Sequence, residues 1–244
     1  MPTAMITGGA SWFSRETTKI LLKEGWHVAL SDINLKHLDE VVKDIGNPSN
    51  VSTGLLNVTD LAAVRKFVDD LAAKRGGIDA LVNVAGGSNH LGVPRKPFHE
   101  TTPEYWTQII QPNIYGVLNC CHSVLPHMIE AKNGSIVNIA SGMGLRGQAR
   151  MALYSAAKGA IVLFTQAVCR EVGQYGIRVN SIAPGSAESR WMPDLKGGEH
   201  QNQSPLGRRT SALDVANAIT FLLSEKASHI TGSCIDVSGG SSLH

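Results

Sequence analysis

The stretch TAMITGGASWFSRETTKILLKEGWHVALSD, residues 3–32, determines the fold class of this 244-residue chain. It contains an apolar run at 3–6, a turn with two glycines, a helical segment at 14–24 and a second apolar run at 27–31. Strand, glycine turn, helix and strand in that order form the βαβ unit of a parallel sheet. Strands of such a sheet are covered on both faces, which explains why these runs are apolar throughout.

The same alternation continues along the chain. We predict strands at 3–6, 27–31, 51–56, 80–83, 135–140, 178–183 and 233–236, and helices at 14–24, 35–45, 61–74, 103–131, 152–175 and 212–224. Asp60 before the third helix and Pro103 at the start of the fourth are typical helix starts. We therefore predict an α/β fold, a three-layer doubly wound parallel sheet of about seven strands flanked by helices, in a single domain spanning 1–244.

Composition excludes several classes of function. The formal net charge is +2 and basic residues are scattered, so no nucleic-acid partner is expected. Apolar stretches such as 160–164 are too short to span a bilayer, and no leader pattern precedes Met5, so we expect no membrane and a cytoplasmic location. The four cysteines lack metal-ligand spacing and are interpreted as buried free thiols, with no metal.

Two features follow the first two strands, where ligands bind in doubly wound sheets. The turn from Thr7 to Ser14 opens a helix, and free N–H groups there can bind a pyrophosphate. Asp32, at the end of the second strand, can accept hydrogen bonds from ribose hydroxyls and would repel a 2′-phosphate by about 4 kcal/mol at 4 Å and an effective dielectric of about 20. NAD is therefore predicted over NADP. The alternative is that Asp32 only caps the next helix.

Tyr154 and Lys158 lie one helical turn apart on one face. Lowering the pKa of a phenol by about 3 units requires about 4 kcal/mol, and an ammonium roughly 4 Å away supplies that amount. The pair can therefore act as a proton donor and acceptor near neutral pH. A tyrosine and a lysine at this spacing also occur by chance on surface helices.

Taken together, the motifs resemble the short-chain dehydrogenase/reductase family over essentially the whole chain, which implies a Rossmann fold. The matching residues are Thr7-Gly8, Asn83-Val84-Ala85-Gly86, Asn113, Ser141 thirteen residues before Tyr154, and Pro184-Gly185.

The resemblance implies four catalytic residues. Tyr154 would exchange a proton with the substrate oxygen while hydride passes between substrate and nicotinamide. Lys158 would lower the Tyr154 pKa and bind the nicotinamide ribose, Ser141 would orient the substrate oxygen, and Asn113 would hold a relay water. The plainer alternatives are that Ser141 is a loop serine and that Asn113 is a polar residue on a helix flank. Pro112 is expected to kink its helix.

The resemblance also implies an NAD site. Asn57 and Val58 would border the adenine, Pro184, Gly185 and Ser189 the carboxamide, and Ala187 would contribute its backbone. The full predicted set is Gly8, Ser11, Trp12, Phe13, Asp32, Ile33, Asn57, Val58, Asn83, Ala85, Gly86, Tyr154, Lys158, Pro184, Gly185, Ala187 and Ser189.

The chain departs from the family pattern at Trp12 and Ser14, where the family has glycine. A large indole would then lie where the coenzyme backbone runs, and any positive φ would cost roughly 1–2 kcal/mol. Ser14 is a good N-cap residue. We therefore predict NAD binding weaker by about one or two decades than with an intact loop.

Three functions remain open. The first is an NAD-dependent oxidoreductase acting on a small-molecule secondary alcohol or ketone. The second is a catalytically impaired dinucleotide sensor or scaffold. The third is an NADPH-dependent 3-oxoacyl-type ketoreductase, against which Asp32 and the lack of a basic residue at Ser11 argue. The polar segment 186–209 is interpreted as a mobile substrate lid. The resemblance implies a homodimer or homotetramer formed by the two long helices.

Overall fold

The computed structural model describes residues 1–88, 95–187 and 204–242. The strands are β1 Thr3–Thr7, β2 His27–Asp32, β3 Val51–Leu55, β4 Ala80–Asn83, β5 Gly134–Ile139, β6 Ile177–Pro184 and β7 Cys234–Val237. The α-helices are α1 Trp12–Lys23, α2 Leu35–Asp44, α3 Leu61–Arg75, α4 Pro103–Ile110, α5 Gly116–Ala131, α6 Gly142–Leu145, α7 Ala152–Val172 and α8 Ala212–Leu223. Single 3₁₀ turns occur at Phe98–Glu100, Gly173–Tyr175 and Glu225–Ala227.

All seven strands pair in parallel in one sheet, in the order β3-β2-β1-β4-β5-β6-β7. One apolar cluster packs α3, α5 and α7 against one face, and a second packs α1, α2 and α8 against the other. The predicted three-layer doubly wound sheet is confirmed. The order reverses at β1 and β4, so the carboxyl ends of these two strands form the crevice in which such folds bind ligands.

The helix starts follow from local sequence. The Asp60 side chain accepts a hydrogen bond from the Ala63 N–H at 3.0 Å, and Pro103 occupies the first turn of α4. Both interpretations of these residues are confirmed.

The long helix predicted at 103–131 is interrupted as Pro112 indicated. A π-helical turn, Gln111–Tyr115, separates α4 from α5. Proline has no N–H to donate and its ring crowds the preceding turn, so the regular hydrogen-bond ladder widens there. This irregularity displaces Asn113 from the regular helical position.

One helix in the described part of the chain, α7 with its 3₁₀ extension at Ala152–Tyr175, is long and apolar enough to cross a membrane by length and composition alone. Uninterrupted apolar runs in the sequence, such as 160–164, are shorter than this helix and therefore did not single it out. This helix also packs against the sheet and carries Tyr154 and Lys158, as the core helix of a globular domain does.

Candidate active site

The glycine turn after β1 lies against the segment that follows β4. Gly8 has φ +65°, and an added Cβ would come within 2.7 Å of the Ala85 backbone nitrogen. Glycine is required there both for the left-handed conformation and for this close approach. The Ala85 N–H also donates to the Thr7 hydroxyl at 3.2 Å. The first and fourth strands are thereby joined at the crevice.

Helix α1 begins immediately after this turn. Ser11 is its N-cap, and its hydroxyl accepts the Ser14 N–H at 3.1 Å. Within the described ranges, the N–H groups of Trp12 and Phe13 have no hydrogen-bond acceptor. These two groups and the positive end of the helix dipole are suited to bind a phosphate.

The structure corrects two expectations about this turn. Ser14 is not the N-cap; it is fully buried in the first turn, and its hydroxyl donates to the Gly8 carbonyl at 2.8 Å. Neither Trp12 nor Ser14 has a positive φ, so the expected backbone strain is absent. Arg15 lies over the Trp12 ring, 5.8 Å from its centroid, so the indole contacts a residue one turn further along α1. Weaker NAD binding through the bulk of the indole stays a prediction.

Asp32 ends β2 beside the same turn. One carboxylate oxygen accepts the Ala10 N–H at 3.1 Å, and the other accepts the Asn34 N–H at 3.0 Å. The N-cap of α2 is Asn34, whose side chain accepts the His37 N–H, so the capping alternative for Asp32 is wrong. Ile33 is 67% exposed at the same edge. The carboxylate is oriented by two backbone groups and lies next to the glycine turn.

Two further predicted residues follow β3. Asn57 is exposed, and its side-chain oxygen accepts the N–H and the hydroxyl of Thr59. Val58 is buried, and its carbonyl accepts from Asn119. The turn is therefore held to α5, with the Asn57 side chain at its surface.

Asn83 ends β4 inside the protein. Its amide nitrogen donates to Asn138 on β5 at 2.9 Å and to the Cys121 sulfur at 3.3 Å. Asn138 in turn donates to Thr165 on α7. The Asn83 side chain therefore ties the central strands to α5 and α7 beneath the crevice.

Asn113 fixes the loop after β4. Its side-chain oxygen accepts the Gly87 N–H at 2.8 Å, and its nitrogen donates to the carbonyls of Gly87 and Ile109. A Cβ on Gly86, which has φ +125°, would come within 2.7 Å of the Asn113 oxygen. Both N–H protons of the Asn113 amide are thus used by backbone carbonyls. Any relay water at this residue would have to bind its backbone or its remaining oxygen lone pair.

The structure brings Ser141, Tyr154 and Lys158 together at the end of β5. Ser141 is the N-cap of α6, and its hydroxyl is near enough to the Tyr154 phenol to act on the pKa of that group. The Lys158 nitrogen lies 5.9 Å from the centroid of the Tyr154 ring and donates to the Ile139 carbonyl at 2.8 Å. Lys158 is buried, so the two residues are not a surface pair; the catalytic roles of Ser141, Tyr154 and Lys158 stay predictions.

The electrostatics of this cluster differ from the expectation. Burial raises the pKa of Tyr154, and the hydrogen bond with Ser141 acts in the opposite direction. Lys158, only 3% exposed, has its pKa lowered to about 8 by burial. The expected lowering of the Tyr154 pKa by Lys158 is therefore not seen. The group that lowers this pKa is the Ser141 hydroxyl.

The segment after β6 completes the crevice. The Gly185 N–H donates to the Val237 carbonyl at 3.1 Å. Ala187 bridges to Thr210, and its carbonyl accepts from Arg209 at 2.8 Å. Pro184 is the last residue of β6. Ser189 and residues 188–203 of the predicted lid lie outside the described residues.

Comparison with known proteins identifies the family. A family model described as Enoyl-(Acyl carrier protein) reductase matches residues 10–242. The 3-oxoacyl-(acyl-carrier-protein) reductase FabG of Thermotoga maritima is 35% identical over 240 residues, covering 97% of this chain and 96% of that protein. The chain belongs to the short-chain dehydrogenase/reductase family. Its members are oxidoreductases.

Two other similar proteins are named for different substrates. The cis-4-hydroxycyclohexanecarboxylate dehydrogenase of Sinomonas cyclohexanicum is 33% identical over 241 residues, covering 97% of this chain and 95% of that protein. The structure of 3-ketoacyl-(acyl-carrier-protein) reductase from Brucella melitensis complexed with NADH has a TM-score of 0.91 at 29% identity, covering 99% of this chain and 98% of that chain.

The residues present fit a dinucleotide of the kind that the family uses. The unpartnered N–H groups of Trp12 and Phe13 provide an anion site, and the Asp32 carboxylate beside them provides a ribose acceptor. Among the described ranges, no cluster of three or more His, Cys, Asp or Glu side chains could hold a metal ion.

Sequence reasoning missed three participants in this site. The Ile139 carbonyl holds Lys158, Gly87 holds Asn113, and residues 238–242 pack against the loops that follow β5 and β6. The first two are backbone groups, which carry no side-chain signal. The third is distant in sequence from the loops that it contacts.

Proposed function

We propose that this protein is an NAD(H)-dependent oxidoreductase that interconverts a small secondary alcohol and a ketone. The observation that carries the proposal is that the Ser141 hydroxyl acts on the Tyr154 phenol while Lys158 is buried beside the Tyr154 ring, at the sheet edge that follows β5. When bound, the nicotinamide donates the hydride to the carbonyl carbon or accepts it from the alcohol carbon.

Tyr154 supplies the proton in ketone reduction. Its raised pKa keeps the phenol protonated at neutral pH, which suits a general acid that donates to the developing alkoxide. Ser141 hydrogen-bonds the same phenol and places a second hydroxyl beside the substrate oxygen. Lys158, with a pKa of about 8, carries a proton at pH 7 and can return one toward Tyr154 after each turnover. The reverse reaction requires the phenolate and is therefore expected to speed up as pH rises.

Asp32 supports NAD over NADP. Its carboxylate is held by the N–H groups of Ala10 and Asn34, so it cannot easily turn away from a 2′-phosphate. Like charges at about 4 Å repel by about 4 kcal/mol at an effective dielectric of about 20, before screening by salt. Similar solved structures hold NADH in one case and NADPH or NADP in others, so the preference rests on Asp32 alone.

Initial rates with a panel of ketones, measured with NADH and with NADPH, test the proposal. We expect turnover with NADH, and we expect Tyr154→Phe to lose about 10²–10⁴-fold in kcat while coenzyme affinity changes little. Asp32→Asn keeps the hydrogen-bond acceptor and removes the charge, so the NADH preference should fall at least about tenfold. Full turnover by Tyr154→Phe would refute the mechanism.

A second candidate is an NADPH-dependent 3-oxoacyl-type ketoreductase, favoured by the FabG relative. Asp32 opposes it, whereas the hydroxycyclohexanecarboxylate dehydrogenase favours a free alcohol or ketone. Higher rates with NADPH on a 3-oxoacyl thioester would select this candidate. No turnover with any substrate would favour the dinucleotide sensor, for which Trp12 is the supporting residue.

The oligomeric state and the location are also proposals. Leu163, on α7, is 67% exposed, which supports packing of the long helices α5 and α7 across a two-fold axis in a homodimer or homotetramer. Sedimentation of the purified protein tests this assembly. The cytoplasmic location stays a prediction from the sequence.

A further inference from the structure

The C-terminal turn, residues 238–242, packs against the two loops that follow β5 and β6. Ser238 and Ser242 are each 3% exposed, and the Ser242 N–H donates to the Ser238 hydroxyl at 3.1 Å. This bond closes the turn on itself. The burial of both serines indicates that the turn is part of the packed structure.

On the substrate side, the turn contacts the residue after Ser141. A Cβ added to Gly142 would overlap the Ser242 hydroxyl oxygen and lie 2.9 Å from the Ser242 Cβ. The next nearest atom, the Pro184 carbonyl oxygen, is 3.6 Å away, an ordinary contact. Gly142 has no positive φ. Position 142 therefore needs glycine because the turn lies on it, and for no conformational reason.

On the other side, the same turn contacts Gly185. A Cβ on Gly185 would lie 2.8 Å from the Ser238 Cβ and 3.1 Å from the Ser241 hydroxyl oxygen. Gly185 belongs to the segment predicted to bind the nicotinamide carboxamide. One five-residue turn thus touches both the loop of the proton-transfer residues and the loop predicted to hold the coenzyme.

The contact at Gly142 extends to Lys158 through α6. A Cβ on Gly144 would lie 2.6 Å from the Lys158 backbone carbonyl carbon, so α6 packs directly on α7. The Ser141 carbonyl accepts the Gly144 N–H at 2.8 Å, and the Ser141 hydroxyl accepts the Met143 N–H at 3.2 Å. Helix α6 is therefore held between the C-terminal turn and α7, and a shift at Gly142 would move Ser141.

Residues 204–206 hold the C-terminal turn from a third side. The Ser204 hydroxyl donates to the Gly239 carbonyl at 2.9 Å, and the Leu206 N–H donates to the same carbonyl at 3.3 Å. Gly240 packs on Pro205. The turn thus has fixed partners on three sides.

We propose that the C-terminal turn is a positioning element of the active site, in which Ser242 sets the position of Gly142 and thereby of the Ser141 hydroxyl. Ser238, in the same turn, fixes the position of Gly185. The turn thereby fixes the distance between the Ser141 loop and the segment predicted to bind the nicotinamide carboxamide. The effect on catalysis that we expect rests on the proposed oxidoreductase function. Misplacement of reacting groups by about 1 Å costs up to about 10²-fold in rate, so the effect is measurable.

The test exchanges atoms across the contact. Gly142→Ala should lower kcat about tenfold or more, with little change in coenzyme affinity. Adding Ser242→Gly to it removes the obstructing atoms and should restore kcat to within about threefold of wild type. Gly173→Ala is the matched control, because a Cβ there meets nothing within 4 Å and the φ of Gly173 is not positive. Its kcat should be unchanged.

A second readout separates positioning from stability. The Ser141 hydrogen bond lowers the pKa of Tyr154, so displacing Ser141 in Gly142→Ala should shift the kcat profile to higher pH, and the double variant should shift it back. A lower melting temperature alone would not move this profile. Wild-type kcat in Gly142→Ala, or a double variant no faster than Gly142→Ala, would overturn the proposal.

A measurement independent of turnover distinguishes this inference from the proposed function. Amide hydrogen exchange of residues 140–146 should be faster in Gly142→Ala and return toward wild type in the double variant. Should wild type reduce no ketone, the proposed function fails, and this exchange pattern still decides whether the turn holds the Ser141 loop. Unchanged exchange in Gly142→Ala would refute it.

Discussion

Burial of Lys158 should make the stability of this protein depend on pH in a way that one substitution removes. The side chain is 3% exposed, and burial lowers its pKa from 10.5 to about 8. A difference of about 2.5 units corresponds to about 3 kcal/mol. Lys158→Met replaces the amine with an apolar side chain of similar length that does not titrate.

The sign follows from proton binding. Below pH 8 both the folded and the unfolded states hold the proton of Lys158, and stability does not change with pH through this group. Between about pH 8 and 10.5 the unfolded state binds more protons than the folded state. The free energy of unfolding of wild type should therefore rise with pH, relative to Lys158→Met, at about 1.4 kcal/mol per unit. From pH 7 to pH 10 the gain is about 2.5 kcal/mol.

Urea unfolding of both proteins at pH 7 and pH 10, at one protein concentration, measures the change. Other titrating groups are common to both proteins and cancel in the difference, and the lost hydrogen bond to the Ile139 carbonyl contributes a constant offset. Lys66→Met is the control: Lys66 is exposed and its hydrogen bond with Asp70 raises its pKa above 10.5, so the folded and unfolded states both keep most of its proton up to pH 10, and its difference from wild type should stay nearly constant. A constant difference between wild type and Lys158→Met would refute the desolvation argument.

Three other variants have defined outcomes. Gly86→Ala places a Cβ within 2.7 Å of the Asn113 oxygen at φ +125°, so the melting temperature should fall by several degrees, as thermal unfolding would record. Ser14→Ala removes the hydrogen bond to the Gly8 carbonyl inside the fold and should cost about 1–2 kcal/mol in chemical unfolding. Trp12→Gly with Ser14→Gly should bind NAD about tenfold more tightly in a fluorescence titration, because the indole is removed from the coenzyme path; equal affinities would leave the indole without effect.

Much of the fold could be read from the sequence because its signals are local. The strand predicted at 80–83 matches β4, and the other elements differ by one or two residues at their ends or by a short turn. The π-turn at Gln111–Tyr115 follows from Pro112, which has no N–H to donate, and this property can be read from the residue type alone. Helix α6 was missed, since four residues with two glycines have no helical periodicity.

The sequence by itself determined the order of strands and helices, the family and the residues at the crevice, because hydrophobic periodicity and motif spacing are properties of neighbouring residues. Only the tertiary structure decided their electrostatics. Burial of Lys158 and Tyr154 depends on strands and helices far apart in the chain, so the raised pKa of the phenol could not be read from a four-residue spacing. The same is true of the contact between Ser242 and Gly142, which are a hundred residues apart and meet only when the sheet has formed.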